Sequence, residues 1–368
     1  MPLWNLLNPW RGHNDRVART MDEVLARAER AGPCCARRRL DLSNDRVIFF
    51  SDLHRGTRDG TDEFRANERA YNAALAYYYR KGHTLVVLGD AEELWQNRPE
   101  AVLADYRHSI ELESRFHRAG RYLRLWGNHD DLWQFEDSVA TYLAPLYDGP
   151  PLEVYEAVLL QLAEGDRTLG QLLCVHGQQG DRKSSQWSWL TRYLIRYVWR
   201  PVQRFFRISV NTPARDWYLE NRQHRALYEW AEDQDRLILI TGHVHTPVFE
   251  SYSQEARIKA ELATLQEKAD DPPTPAQVDA QARVMARLEW VRVRERKRRQ
   301  RSLQYDIAFE KPWYFGTGCC CYRDGVITGI EIDRGEIRLI RWPDASGDPR
   351  PHVLARDSLG TLLAQGER

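Results

Sequence analysis

The sequence predicts an α/β domain from three features of its pattern. Five short, mostly apolar runs recur between residues 46 and 240: RVIFF (46–50), TLVVL (84–88), YLRLW (122–126), LLCV (172–175) and LILI (237–240). Helical patterns separate several of them, as over Asp62–Arg80 and Ala101–Arg118. Each run then ends in side chains drawn from Asp, Asn and His. The β-branched and aromatic content of the runs suits buried strands. Alternation of strand and helix suits a sheet with helices packed on it.

In chain order, residues 1–45 read as an N-terminal extension, irregular except for a helical stretch near Arg16–Arg30. The main domain spans 46–250 and resumes over 303–345. Two helical insertions interrupt it. The first, 184–230, is rich in Trp, Tyr and Arg and reads as a cap; Pro201 should kink or end its first helix. The second, 251–302, reads as a helical hairpin. Its arms are EARIKAELATLQEKA and a segment ending VRVRERKRRQR, and Thr274–Pro275 is an N-cap and first-turn pair. GVITGIEI and EIRLIRW then form a closing β-hairpin. Residues 346–368 read as a weakly packed tail.

The chain has 368 residues, enough for one large domain with insertions or for two domains. At 42% hydrophobic residues it can bury a sizeable core. Lys+Arg and Asp+Glu both number 53, so no net field draws the protein to nucleic acid or membrane; such contact needs a local patch. The cysteines, at 34, 35, 174 and 319–321, follow neither a disulfide framework nor a CxxC spacing. No signal-type apolar region and no run of the ~18–20 apolar residues a spanning helix needs is visible. A cytoplasmic setting, peripheral to a membrane at most, is expected. Cys319–Cys321 read as small buried hydrophobes in a strand, whose alternation keeps three neighbours from chelating one ion. His83 and His224 lie outside any motif and read as ordinary histidines.

The strand ends carry the chemistry. SDLH supplies Asp52 and His54, GD supplies Asp90, GNHD supplies Asn128, His129 and Asp130, HG supplies His176, and GHVH supplies His243 and His245. In α/β sheets ligands bind beyond the carboxyl ends of strands, so five such ends point at one shared site. Gly89, Gly127, Gly177 and Gly242 beside them allow sharp turns and close backbone approach. Carboxylate, amide and imidazole without thiol suit Mn²⁺, Fe or Zn²⁺. Seven candidate ligands are too many for one four-coordinate ion and fit two ions that share a carboxylate.

The ordered set D-x-H, G-D, G-N-H-D, H-G, G-H-x-H resembles the calcineurin-like metallophosphoesterases, over roughly 46–250 and the strands after 303. The resemblance implies a four-layer αββα sandwich with the cap and hairpin inserted and the site at the strand ends. It implies Asp52, His54 and His245 as ligands of a first metal, Asp90 as the bridging carboxylate, and Asn128, His176 and His243 as ligands of a second. It implies two divalent ions, Mn²⁺ first and Fe or Zn²⁺ as alternatives. His129 would face the leaving group and Asp130 would orient it. Physically, two cations neutralise an anionic ester and lower the pKa of a bridging water, whose hydroxide attacks phosphorus in line. A protonated His129 would relieve charge on the leaving oxygen, with Asp130 raising its pKa.

The substrate is read from less specific features. GDAEELW and GNHDDL resemble the branch that cleaves UDP-diacylglucosamine, with Glu93 and Trp95 at matching spacing; that branch carries Arg at the position of His129 and lacks the hairpin. Arg55, Glu93, Arg196 and Arg200 are the candidate substrate contacts. Arg192, Arg196, Arg200 and Arg204 form one stripe of an aromatic-rich helix. Such a helix can cap the site over a phosphorylated small-molecule or lipid-linked substrate, or lie on an anionic membrane. The basic end of the hairpin could meet nucleic-acid phosphates, which makes a metal-dependent nuclease the alternative; it could equally just suit the helix dipole. A non-catalytic scaffold would be expected to lack ligands, and here every ligand type is present.

Overall fold

The structure, a computed structural model, describes residues 11–180, 217–245, 247–249, 262, 274, 277–286, 313–322, 325–343 and 350–364. Two units divide the chain: residues 1–248 with 313–368, and residues 249–312.

The first unit opens with helix α1 (Arg11–Glu29), longer than the expected helical stretch, and strand β1 (Cys35–Asp41). Strand β2 (Arg46–Phe50), helix α2 (Glu68–Arg80), β3 (Thr84–Leu88), helices α3 (Pro99–Asp105) and α4 (Arg107–Arg118) and β4 (Tyr122–Leu125) follow. After short helical turns come β5 (Val154–Tyr155), β6 (Ala157–Glu164), β7 (Arg167–Val175), helix α5 (Trp217–Glu232), β8 (Leu237–Thr241) and β9 (Pro247–Phe249). Strands β10 (Tyr314–Thr317), β11 (Ile327–Asp333), β12 (Glu336–Trp342) and β13 (His352–Ser358) and helix α6 (Leu359–Ala364) complete it.

The strands form two sheets, ordered β1-β6-β7-β8-β10-β9 and β13-β12-β11-β2-β3-β4-β5. Helices α2 and α4 pack on the second sheet, while α1 and α5 pack on the first. Layers of helix, sheet, sheet and helix result, as the resemblance implies. β2 and β3 read as unbroken apolar runs because they lie inside this stack and are covered on both faces. Ile48, Phe50, Leu85 and Val87 meet Tyr71, Tyr78, Phe116 and Trp342 in one buried cluster. Parallel pairing of β2 with β3 and of β3 with β4 brings their carboxyl ends to one edge. In the other sheet β7, β8 and β10 are likewise parallel.

Four local expectations change. Residues 35–41 are a strand of the first sheet, paired in parallel with β6, not part of an irregular lead-in. α5, expected within the cap, is instead a layer helix against α1, β8 and β10, with Ala226, Leu227 and Trp230 buried. Residues 181–216, which hold the rest of that expected cap, lie outside the described residues. Residues 350–364 of the expected tail pack onto the fold: β13 extends the second sheet, and Leu359, Leu362 and Leu363 are buried. Cys319–Cys321 follow β10 rather than lie in it, so strand alternation does not govern them. They are buried, as expected of small hydrophobes.

In the second unit, residues 277–286 are helical. Thr274 caps them as expected: its hydroxyl accepts from the Gln277 N–H at 3.4 Å, and the Gln277 side chain accepts from the Thr274 N–H at 2.9 Å. The basic end of the second arm lies outside the described residues.

α6 lies close on β7: a methyl group at Gly170 would sit 2.7 Å from a Leu363 methyl. Leu363→Ala should therefore destabilise the protein by about 2–5 kcal/mol, as loss of a buried leucine does. Urea unfolding followed by tryptophan fluorescence measures it; an unchanged midpoint would place the tail outside the core.

Candidate metal centre

The site is built from the loops that leave β2, β3, β4, β7 and β8. Five of its side chains stand on left-handed backbone: Asp52 (φ 53°), His54 (51°), Asp90 (51°), His243 (70°) and His245 (50°). That conformation costs a non-glycine residue on the order of 1–2 kcal/mol, so something must hold it. Bonds between loops do so. The N–H groups of Asp52, His54 and Arg55 donate to the carbonyls of Gly89, Asp90 and Ala91, at 3.2, 2.9 and 3.0 Å. Two glycines allow the loops to meet. A Cβ at Gly127 would lie 2.2 Å from Asp90 Oδ1, and one at Gly242 would lie 2.6 Å from Asp52 Oδ2.

All seven expected ligands come together at these loops. His245 Nε2 lies 3.3 Å from Asp52 Oδ1 and 3.1 Å from His54 Nε2. His54 Nε2 is 3.9 Å from Asp52 Oδ1 and 3.8 Å from Asp90 Oδ2. Two imidazole nitrogens facing one another need a proton or a cation between them. On the other side, Asp90 groups with His176 and His243. His176 Nε2 faces Asp90 Oδ2 at 3.1 Å, and Asn128 Oδ1 is buried without a partner. An orphaned buried lone pair like that of Asn128 is costly unless a ligand meets it. Asp90 belongs to both halves, the position a bridging carboxylate needs. The residues therefore fit a pair of divalent ions.

Groups behind the ligands fix their tautomers. His176 Nδ1 donates to the Leu88 carbonyl at 2.7 Å, and His54 Nδ1 lies 3.3 Å from Glu93 Oε2. Each ring then presents Nε2 to the site. Asp52 is held by the His243 N–H, 3.1 and 2.9 Å from its two oxygens, and by the Ser51 hydroxyl.

His129 is placed differently from the ligands. Its ring stacks on Trp95, with centroids 4.2 Å apart and an interplanar angle of 19°. Its Nδ1 is 2.7 Å from Glu93 Oε2. Asp130, expected to orient this ring, does not: its carboxylate accepts the backbone N–H groups of Asp90 (3.2 Å), Ala91 (2.9 Å) and Gly127 (2.6 Å). It braces the β3 loop against the β4 loop. Glu93, expected as a substrate contact, is the orienting carboxylate. Arg55 is not a substrate contact. Its side chain is fully buried, bonded to Glu92 and Glu113, with its guanidinium 5.6 Å from the rings of Phe64 and Tyr71. The β-bridge between Arg55 and Glu92 explains both differences: side chains alternate across it, so Glu92 faces the protein layer and Glu93 the site. Arg196 and Arg200 lie outside the described residues.

Sequence reasoning missed the buried ion network beneath the site, in which Glu92 pairs with Arg55 and with Arg124. Its one signal was an arginine inside an otherwise apolar strand, YLRL.

Electrostatics follow from the crowding. Burial alone would lower the His129 pKa, but the Glu93 and Asp90 carboxylates outweigh it and bring it up to about 9. Burial alone would raise Glu93, but His129 and His54 bring it down to about 2. His176 is likewise raised to about 9 against its burial, by Asp90 and then Asp52. His245 is held well above its usual value, mainly by Asp52.

A buried cluster of carboxylates and imidazoles with a divided carboxylate at its centre defines a dinuclear metal hydrolase site. The calcineurin-like phosphoesterase family model matches residues 45–247, more than half of the 368-residue chain. The chain belongs to that family and is a metal-dependent phosphoester hydrolase. Two solved structures are similar at low identity. A conserved protein of Streptococcus pneumoniae TIGR4, described as a predicted phosphoesterase, is 12% identical with a TM-score of 0.30, covering 84% of this chain and 98% of its own. A dimetal phosphatase of Danio rerio is 9% identical with a TM-score of 0.38, covering 85% and 99%. Neither likeness adds to the assignment. No curated protein matches the sequence. Among the described residues no helix is long and apolar enough to cross a membrane.

Since His176 and His245 hold protons in the metal-free protein at neutral pH, metal must displace them. Below pH ~9 apparent affinity should fall as pH falls, about tenfold per unit for each displaced proton. Calorimetric titration with Mn²⁺ in buffers of different ionisation enthalpy reads the protons released; zero release at pH 7 would contradict this.

Proposed function

We propose that the chain hydrolyses a phosphate ester or pyrophosphate bond of a nucleotide- or lipid-linked phosphate, with His129 as the acid toward the leaving oxygen. One observation carries this reading. A single oxygen of Glu93 meets the ring of the metal ligand His54 and the ring of the non-ligand His129. In this reading a proton donor stands beside the metal pair with its Nε2 free to face the substrate. Two divalent ions there, Mn²⁺ by the donor set with Fe or Zn²⁺ as alternatives, supply positive charge to the phosphoryl oxygens and activate the attacking water.

The chain's own residues do the rest. Glu93 keeps His129 protonated and fixes its tautomer. Trp95 holds the plane of the ring, and its indole N–H donates to the Asn128 carbonyl at 2.6 Å, tying that wall to the second-metal loop. The Asp90 carboxylate also accepts the His129 backbone N–H at 2.7 Å, so the acid and the bridging group are set in one frame. The GDAEELW pattern, with Glu93 and Trp95, supports the nucleotide- or lipid-linked class.

The direct test is the full chain, stripped of metal and reloaded with Mn²⁺, Fe²⁺ or Zn²⁺, against bis-p-nitrophenyl phosphate, phosphomonoesters, nucleotides, UDP-sugars and nucleic acid. Hydrolysis of small esters is expected, and Asp90→Ala should abolish it with the circular dichroism unchanged. No turnover of any ester under any loading would overturn the assignment; cleavage of nucleic acid alone would replace it with a nuclease.

The acid role has its own signature. His129 acts only when protonated, so wild-type kcat should fall on a basic limb that Glu93, the main carboxylate raising this pKa, helps to set. Glu93→Gln removes the main carboxylate that raises this pKa. It should lower kcat by roughly 10²–10⁴ and move the basic limb to lower pH. A full pH–rate profile checks both; an unmoved limb would return the orienting role to another residue.

A further inference from the structure

We infer that Cys321 is a positioning residue for the metal ligand His245, holding the ring by its Nδ1 so that Nε2 stays at the metal. The inference deepens the two-metal reading and rests on it. Its starting point is the run Cys319–Cys320–Cys321, which the site chemistry above does not use.

The loop that carries these cysteines is fastened to the site from both sides. The Cys320 N–H donates to the Asp52 carbonyl at 3.1 Å, and the Thr328 N–H donates to the Cys319 carbonyl at 3.2 Å. The Tyr322 hydroxyl donates to the His245 carbonyl at 2.7 Å. Between these anchors the Cys321 sulfur lies 3.6 Å from His245 Nδ1, within hydrogen-bond range for sulfur. The opposite nitrogen of the same ring faces Asp52 Oδ1 at 3.3 Å. His245 is thus gripped at its backbone by Tyr322 and at its ring by Cys321, while its own backbone is left-handed at φ 50°.

A ligating imidazole almost always donates its second N–H to an acceptor, which fixes the ring. His176 uses the Leu88 carbonyl and His54 uses Glu93. Behind His245 stand two cysteines, Cys319, whose thiol is hydrogen-bonded to His245 and to Cys321, and Cys321. Of the two, the Cys321 sulfur is the one found 3.6 Å from Nδ1, and a neutral thiol is a weak acceptor beside a carbonyl or carboxylate. The sulfur meets Nδ1 while Asp52 faces Nε2, and although Cys321 also groups with His54 and His245 in a set that could hold an ion, its proposed role is that of an outer support. Cys320 faces elsewhere: it is fully buried in the hydrophobic cluster that includes Phe50 and Tyr71.

The test uses Co²⁺ on the chelator-stripped full chain, with affinity read by competition against a chromophoric chelator and geometry by the visible d–d spectrum. Wild type should bind two ions. C321A should weaken one of the two by about 10–100-fold, the usual cost of losing an outer-shell partner, and alter one d–d component. C321S, which keeps an acceptor, should recover most of that loss. C320A, an equal truncation in the same loop, should keep wild-type Co²⁺ affinity even where its melting temperature falls. Two ions bound by C321A as tightly as by wild type would overturn the inference and leave the two-metal reading intact. A near-ultraviolet thiolate-to-cobalt band in wild type that vanishes in C321A would also overturn it, by placing sulfur on the metal. Failure of wild type to bind two ions would overturn both.

Discussion

Two buried carboxylates, Asp52 and Asp90, face a ring of imidazoles across gaps of 3.1 to 3.9 Å. The rest of the site is organised around that concentration of charge. A buried carboxylate without a counter-charge is costly, and two of them repel. Protons on His176 and His245 answer the demand in the metal-free protein, and divalent ions answer it when bound. Metal loading must therefore compete with those protons.

Holding this arrangement requires rigid loops, and the rigidity comes from below. Asp130 gathers three backbone N–H groups from two loops and lies 3.6 Å from the Arg124 guanidinium. Arg124 shares Glu92 with Arg55, and Arg55 reaches Glu113, which accepts the hydroxyls of Tyr71, Tyr122 and Tyr147 at 2.9 Å each. Opposite charges alternate along this chain, and aromatic donors take up the remaining lone pairs. Such a network adds little net stability over an apolar core, because desolvating its charges offsets their attraction. Its consequence is geometric: through Arg124 and Asp130 it ties the loops that carry Asp90 and Asn128 to the protein layer beneath.

The ligands were legible because metal chemistry restricts them to a few residue types, and because each sits immediately after a strand that its own apolar run announces. TLVVL followed by Gly89 and Asp90 is such a case, and β3 covers the same five residues as the run. Roles that depend on a partner far along the chain were not legible. Nothing local separates Glu92 from Glu93; the bridge to Arg55 decides which faces the site. Asp130 is adjacent to His129 in sequence, but its carboxylate is engaged by the loop backbone. Strand β1 has three exposed arginines in its middle because it lies at the edge of its sheet, so it lacked the apolar run that marks the central strands. α5 was grouped with a cap because its sequence neighbours are similar in composition; only its packing against β8 and β10 separates it.

The shared oxygen of Glu93 links electrostatics to function. With metal bound, His54 would present Nε2 to it and donate Nδ1–H back to Glu93, while His129 would offer its Nε2 side to the substrate. One carboxylate oxygen can accept from both rings because neither asks it to donate. The Glu93–His129 pair is then neutral as a unit, so it can stand beside two cations without the repulsion that a lone imidazolium would meet. The carboxylate would let a proton donor and a cation pair occupy the same buried space, from a residue three positions beyond Asp90.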